Sequence, residues 1–433
     1  MIAIILLVLL VLGVPIGVAF ALIVMAKADA WNIDLSALAS IPFDTVSNFS
    51  LLAIPLFLLG GELMNRGGLI RQLTSVCDMV LTRSRAPLGH VMIVASALMG
   101  AITGSSVATV AAIGGTVGKE MAGRGYPLGY TAALNASAGL LGVLIPPSIP
   151  LILYGSIVGV SITQLFLASI GPGIVMMLAF LVVHATLARR VLPGGREIVV
   201  ASVSGQALPI RQDRSAERKI SILKRSIPAL MLPVLVLGGI YSGIFTPTEA
   251  AAVAGLYALL VTVFGRMTRP SELNGIFGRA ALSSAAILVI IAFTSIFNRA
   301  MVLEQVPQAI AAYATSFTAS PVVFLLVVNL VLLLIGMFME TNAATLLMGP
   351  LLAPAAAKFG IDPVHFAIVL VTNIEIGLLT PPMAANLYVA ARTIGADIVS
   401  LLRHLGWFLF TALIVMTIIT YVPQVSLWYR HFS

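Results

Sequence analysis

The sequence predicts an all-α polytopic membrane protein, and three observations carry that prediction. Of 433 residues, 60% are hydrophobic and 9% charged, against roughly 45–50% apolar and about 25% charged in soluble domains. Apolar runs approaching the roughly 20 residues needed to span a bilayer recur along the whole chain, and mean hydropathy is +1.09. Two further apolar regions are interrupted by small polar residues and by Pro-Pro pairs at matching places. With 24 basic and 16 acidic residues, the chain cannot coat a water-soluble enzyme of this size. A transmembrane barrel would instead show short alternating segments.

The first apolar run, 2–26, reads as a first transmembrane helix. The competing reading is a cleaved signal, prompted by AKADA at 26–30. No Lys or Arg precedes the run, and it exceeds the roughly 7–15-residue core of a signal peptide. Further runs lie near 45–64, 165–188, 226–244, 249–265, 281–297 and 405–422; the two interrupted regions are 88–160 and 321–391. This gives a first repeat at 1–188, with flanking helices in 1–85 and the interrupted region in 88–160. A basic linker follows at 189–225. The second repeat, 226–433, has flanking helices in 226–317, the interrupted region in 321–391 and a final helix at 405–422.

Charge assigns the sides. Segments 66–85, 119–124, 189–225, 266–279 and 392–403 together carry +13. Segments 27–44, 241–249, 299–304, 358–362 and the tail carry −2. One alternation of sides puts every basic segment on one face, which the positive-inside rule makes cytoplasmic. The N-terminus is then inside and the C-terminus outside. The net charge of +8 reads as topology-setting loop charge rather than a nucleic-acid footprint. The single cysteine, Cys77, permits no intrachain disulfide, and the five histidines show no metal-ligand spacing.

The interrupted regions resemble each other. ITGSSVAT (102–109), YP (126–127) and GVLIPPSIPLILYGSIVG (142–159) are matched by METNAAT (339–345), DP (362–363) and GLLTPPMAANLYVAARTIG (377–395). Thr109 and Thr345, Pro127 and Pro363, and Gly159 and Gly395 are each 236 apart; the Pro-Pro pairs 146–147 and 381–382 are 235 apart. Each is preceded by an amphipathic stretch, 66–85 or 299–317. The charge topology starts the two regions on opposite sides, so the repeat is inverted, an architecture common among secondary transporters.

Each repeat holds two kinds of break. The first is a small polar patch: Thr103, Gly104, Ser105, Ser106 and Thr109, or Thr341, Asn342 and Thr345. The apolar flanks are short for full spans, so a re-entrant helical hairpin with its tip inside the membrane is expected. Irregular backbone at that depth is tolerated where it lines a cavity. The second break is the Pro-Pro pair, which removes two donors and disfavours helix before it. Carbonyls near Gly139, Gly142 and Ile145, and near Gly377, Leu379 and Thr380, lose partners. Hard neutral oxygens suit a bare alkali cation, so the candidate sodium ligands are Ser105, Ser106, Thr109, Gly139, Gly142, Ile145, Thr341, Asn342, Thr345, Gly377, Leu379 and Thr380. One cage per repeat gives two sodium ions. Helix N-termini at the tips would face anions. The candidate substrate contacts are Thr103, Gly104, Asn135, Pro146, Pro147, Pro381, Pro382, Asn386 and Arg392. The competing reading is that the Ser, Thr and Gly residues only permit tight helix packing.

Intramembrane acids are functional candidates by default. Glu340 adjoins the second patch, Glu375 precedes the second Pro pair, and Glu62 sits near a helix end, where a structural role is expected. Asn373 is a further polar residue on a broken helix. For Glu375, protonation, pairing with an arginine and a subunit contact stay open. The run GGTVGKE (114–120) lacks the first Gly and the final Ser/Thr of a P-loop, so no ATP-driven motor is encoded, and no enzyme motif is found.

The motifs together resemble one family. GVPIG (13–17), LLAIPLFLLGGELM (51–64), GAITGSSVATVAAIG (100–114), IPPSIPLILYG (145–155), LFLASIGPG (165–173), GIFTPTEAAAVA (243–254), QVPQAIA (305–311) and IGLLTPPMAANLYVA (376–390) are similar to the large membrane subunit of tripartite ATP-independent periplasmic (TRAP) transporters, of the dicarboxylate/sialic-acid kind. Thr109 stands where the family usually has Asp, and Ala384 where it usually has Gly. The resemblance implies an elevator-type fold, with a transport domain carrying 88–160 and 321–391 and a scaffold built from the other helices. It implies sodium-coupled symport of an organic acid across a bacterial inner membrane. It implies two partners, a small four-helix membrane subunit and a periplasmic substrate-binding protein, and no organic cofactor. The small subunit is expected as a separate chain. The rival readings are a stand-alone sodium-coupled carboxylate carrier of the same fold and a non-transporting membrane scaffold.

Overall fold

In lipid every backbone polar group must be satisfied internally, which leaves helices as the spanning element for a single apolar chain of this pattern. The computed structural model describes residues 5, 8–9, 12–28, 40–81, 86–192 and 216–431, the side chains of 216–219 excepted, and among these residues every regular element is helical. The acidic loop at 29–39, residues 82–85 and the linker core 193–215 lie outside the described residues.

The helices are α1 Ile16–Lys27, α2 Ile41–Val46, α3 Ala53–Arg66, α4 Leu69–Leu81, α5 Pro87–Thr103, α6 Ser106–Ile113, α7 Lys119–Gly123, α8 Leu128–Ala138, α9 Leu141–Leu144 and α10 Ile149–Val158. They continue as α11 Ile162–Val191, α12 Ala216–Tyr241, α13 Pro247–Phe264, α14 Pro270–Leu303, α15 Val306–Phe317, α16 Pro321–Phe338, α17 Thr341–Lys358, α18 Pro363–Gly377, α19 Ala385–Ile394 and α20 Ile398–Tyr421. Eight described spans are long and apolar enough to cross a membrane: Phe49–Arg66, Leu128–Val158, Ile162–Val191, Ile220–Tyr241, Pro247–Phe264, Pro270–Leu303, Pro321–Phe338 and Ile398–Tyr421.

Three expectations need correction. The run 2–26 is not one helix, because the chain turns at Leu12–Gly13 before Pro15 caps α1. Segment 299–304 is not a loop, since α14 continues to Leu303. Segment 119–124 is largely the helix α7, continuing from α6 through a π turn at Gly114–Gly118.

Two packing groups emerge. In one, α13 packs on α3, α14 packs on α1, α2 and α3, and α12 packs on α4 and α13. In the other, the hairpins and broken helices interlock across the repeats: α10 lies against α17, while α19 lies against α6 and α8. The broken helix Leu128–Val158 sits at the centre, with 94% of its most apolar window buried, against 28% for α14.

The repeat offset reappears in the backbone. Gly159 (φ +81°) and Gly395 (φ +80°) end α10 and α19 in the left-handed region, and both Pro-Pro bonds are cis. At Gly100 an added Cβ would lie 2.8 Å from Gly142 Cα; at Gly336 it would lie 3.0 Å from Gly377 Cα. The first leg of each hairpin thus crosses its broken helix at a Gly–Gly contact, where only a missing side chain allows that approach. Each broken helix is also pinned near its start. Tyr130 Oη and His184 Nδ1 are 2.7 Å apart, as are His365 Nδ1 and Ser426 Oγ.

Candidate functional site

A polar patch bends a helix where its side chains can replace backbone partners. At the first hairpin α5 ends at Gly104 (φ +61°), and the Ser105 hydroxyl caps α6 by accepting from Ala108 N–H at 3.4 Å. The Ile149 N–H, the second amide after the Pro146-Pro147 pair, donates to the Gly104 carbonyl at 3.2 Å. At the second hairpin α16 ends at Phe338, and the Glu340 carboxylate caps α17. It accepts from Asn342 N–H at 3.0 Å, Ala343 N–H at 3.3 Å and Asn342 Nδ2 at 2.6 Å. The Met383 N–H, the first after Pro381-Pro382, donates to the Met337 carbonyl at 3.0 Å. Each Pro pair is therefore stitched to its own hairpin.

Both tips open on one cavity of about 520 Å³. Gly104, Ser105, Ser106, Val107, Ala108 and Ala111 line it from the first hairpin; Glu340, Thr341 and Asn342 line it from the second. Val143, Ile149 and Pro150 come from the first broken helix, and Glu375, Leu378 and Val389 from the second. The opposite wall is Leu58 of α3 and one face of α14: Ser283, Ala286, Ile287 and Ile290. The cavity therefore lies between the two packing groups. Glu375 is 1% exposed, with Thr341, Ser106 and Glu340 as its polar neighbours, and its Oε2 makes no hydrogen bond among the described residues.

The expected ligands divide. A Cβ on Gly142 would fall 2.5 Å from Thr109 Oγ1 and 2.8 Å from the Ser105 carbonyl, and one on Gly139 would fall 3.4 Å from the Ser106 carbonyl. Gly139 and Gly142 therefore give the first tip room against its broken helix, and Ile145 N–H closes that turn on Leu141. Thr109 Oγ1 is 3.2 Å from Thr103 Oγ1, which donates to the Met99 carbonyl. On the second side Thr341 Oγ1, Asn342 Oδ1 and Thr345 Oγ1 are buried oxygens that find no hydrogen bond among the described residues. Leu379 and Thr380 donate back to Ile376 and Gly377 within the break. Gly377 meets Gly336 and Leu333 rather than the second tip.

Several expected substrate contacts do not line this cavity. Pro381, Pro382 and Arg392 are exposed and absent from its lining. Arg392 sits in the last turn of α19, past the helix start that faces the break. Asn135 instead donates to the Val110 carbonyl at 2.9 Å, bracing α6, and Asn386 is wholly buried with neither side-chain polar atom bonded among the described residues. Pro146 and Pro147 are buried behind the first tip, and Thr103 lines a smaller adjoining recess. Sequence reading missed the α14 wall. Its one signal was the SSAA run at 283–286 within an otherwise apolar helix.

A family model described as the tripartite ATP-independent periplasmic transporter, DctM component, matches residues 3–425. The chain belongs to this family. A C4-dicarboxylate TRAP transporter large permease protein DctM of Pseudomonas aeruginosa is 38% identical over 89% of this chain and 87% of the relative. A sialic acid TRAP transporter large permease protein SiaM of Vibrio cholerae is 33% identical over 96% of this chain and 94% of the relative. An isethionate TRAP transporter permease protein DctMQ of Oleidesulfovibrio alaskensis is 36% identical over 97% of this chain, which spans 64% of that longer protein. Among solved structures, the Alcanivorax borkumensis YdaH transporter, described as having an unusual topology, shares the fold with TM-score 0.60 at 18% identity, covering 92% of this chain and 88% of that one. As a TRAP large permease the chain is a multi-pass membrane protein of transmembrane transport.

Proposed function

We propose that this TRAP large permease carries an organic acid into the cytoplasm by sodium-coupled symport, with a periplasmic binding protein delivering the acid and a small membrane subunit as partner. The relatives named for C4-dicarboxylates, sialic acid and isethionate make a carboxylate or sulfonate the substrate class. The observation that carries the reading is the convergence of both hairpin tips, two acids and the α14 wall on one cavity of about 520 Å³. The hairpins are read as re-entrant and inverted, the bacterial inner membrane as the location, and the basic face as cytoplasmic.

The two tips suit opposite charges. The second tip presents Glu340 and the oxygens of Thr341 and Asn342, unbonded among the described residues, and the broken helix beside it adds Glu375, a donor set for sodium with Thr345 behind it. The first tip is neutral, and the start of α6 at Ser106 faces the cavity; helix N-termini favour anions. A second sodium is assigned to Ser105, Ser106 and Thr109 against Gly139, Gly142 and Ile145. A bound cation lowers the cost of placing an anion beside two acids, which couples the fluxes. The hairpin group moving against the group around α13 and α14 would supply alternating access.

The test is uptake of radiolabelled succinate, N-acetylneuraminate and isethionate into proteoliposomes holding both membrane subunits. Uptake of one of these acids that needs both a sodium gradient and the binding protein supports the reading. Uptake without the binding protein would establish a stand-alone carrier, and none from a correctly oriented preparation would reopen the function.

A further inference from the structure

Two further spaces adjoin the cavity. Beside it lies a narrow recess of about 100 Å³, and Leu58, Ala108 and Ser283 line both spaces. Beyond the recess is a polar crevice of about 550 Å³; Asn65 lines recess and crevice, and Ala111 lines crevice and main cavity. The three spaces are neighbours that share lining residues along α6, with α3 lining all three opposite it and α14 the first two. The series is marked by charge. Arg279 stands one helical turn before Ser283, on the α14 face that walls the cavity, and it lines the recess with Glu62. Arg66 and Arg71 line the crevice. Glu62 Oε1 lies 2.6 Å from Arg279 Nε and 3.6 Å from Arg66 Nε. One carboxylate is thus shared by two guanidiniums, and Arg71 adds a third. Recess and crevice together hold two positive charges in excess, whereas the main cavity holds Glu340 and Glu375.

We propose that this path is an anion vestibule: Arg279, Arg66 and Arg71 receive the transported organic anion from the cavity on the basic side, with Glu62 as the exchangeable counter-ion that the anion displaces from Arg279. The proposal rests on the organic-acid reading above and adds the residues that handle release. An apolar wall leading from a neutral tip would hold a carboxylate back from water, and guanidiniums match carboxylate and sulfonate geometry bidentately. Glu62 keeps the arginines from retaining the anion, since release requires a competitor already in place. Arg279 lines the recess beside the α14 wall, whereas Arg392, in the last turn of α19, lines neither the recess nor the cavity.

The test reads the local potential directly. Asn65→Cys is made in a Cys77→Ala background, and the large and small subunits are placed together in phosphatidylcholine nanodiscs, which contain no anionic lipid. Labelling rates are measured with an anionic and a cationic thiosulfonate reagent, each normalised to a free thiol. The anionic reagent should react about tenfold faster, and about 1 M salt should erase the preference. Arg279→Gln or Arg71→Gln should shrink it, Glu62→Gln should enlarge it, and succinate should slow anionic labelling without sodium. Thr116→Cys, lining the crevice, is a second reporter should Asn65→Cys misfold. Equal rates for the two reagents, a preference indifferent to Arg279→Gln, or labelling untouched by succinate overturns the vestibule. The readout needs no turnover, so absent uptake would sink the symport reading alone, and unbiased labelling beside normal uptake would sink this one alone.

Discussion

The two repeats share a backbone plan and differ in what surrounds it. Pro146 and Pro147 are buried behind the first hairpin, whereas Pro381, Pro382 and Met383 are exposed. The first tip is capped by a serine hydroxyl, the second by the Glu340 carboxylate. The first cradle is snug, with Gly142 against Thr109 and Ser105, while the second leaves three oxygens unbonded among the described residues. A repeated backbone therefore supplies two helix breaks at one cavity, and side chains then divide the labour between them. Symmetry sets where the breaks sit; the asymmetry sets which polar groups each half turns toward the cavity.

That comparison can be broken in order of effect. Glu375→Gln should cut sodium-driven uptake roughly 10–100-fold, the kinetic equivalent of about 1.5–3 kcal/mol for a charged hydrogen-bonding group, with the melting temperature kept; unchanged uptake would make the acid a packing residue. Gly142→Ala puts a methyl against Thr109 Oγ1 and should raise the sodium concentration for half-maximal uptake about tenfold, a cost of about 1–3 kcal/mol at an overpacked contact. Gly377→Ala meets Gly336 and should lower thermal stability by a similar amount while leaving sodium affinity nearer the parent's. The reverse pattern would mean the cages are built alike. Tyr130→Phe and Ser426→Ala each remove the hydroxyl that pins a buried histidine, worth about 1 kcal/mol in a detergent melt, and a similar loss in both would show that the anchors follow the repeat. Last, Arg392→Gln should leave uptake within about twofold, because the residue is exposed and off the cavity wall; a rise in substrate KM beyond that would return it to the site.

Much of the architecture was legible because bilayer physics writes it into composition. Long apolar runs, the Gly and Pro breaks and the 236-residue offset located the spans, and the tips at Ser105–Ser106 and Thr341–Asn342 do face a cavity. What failed was direction. Asn135 and Asn386 sit on the broken helices as read, yet one braces α6 and the other points into the core. Arg392 lies close to the break in sequence, yet it is exposed and absent from the cavity lining. The cation that lines the adjoining recess, Arg279, lies some 170 residues beyond the first tip, in the segment 266–279 that reads as a basic connection and is largely the start of α14.

The sequence by itself determined that the chain is a helical membrane protein, that it carries two similar broken regions, and that its charges favour one face. These follow from local properties: hydropathy, the missing amide of proline and the missing side chain of glycine act on their own neighbours. Only the tertiary structure decided that both tips share one cavity, that α14 closes it, and that Glu62 holds Arg279 beside it. Those facts depend on which helices meet, and helix packing within lipid is chosen by close surface fit between distant segments, such as the Gly100–Gly142 and Gly336–Gly377 crossings. No local pattern encodes a partner far along the chain.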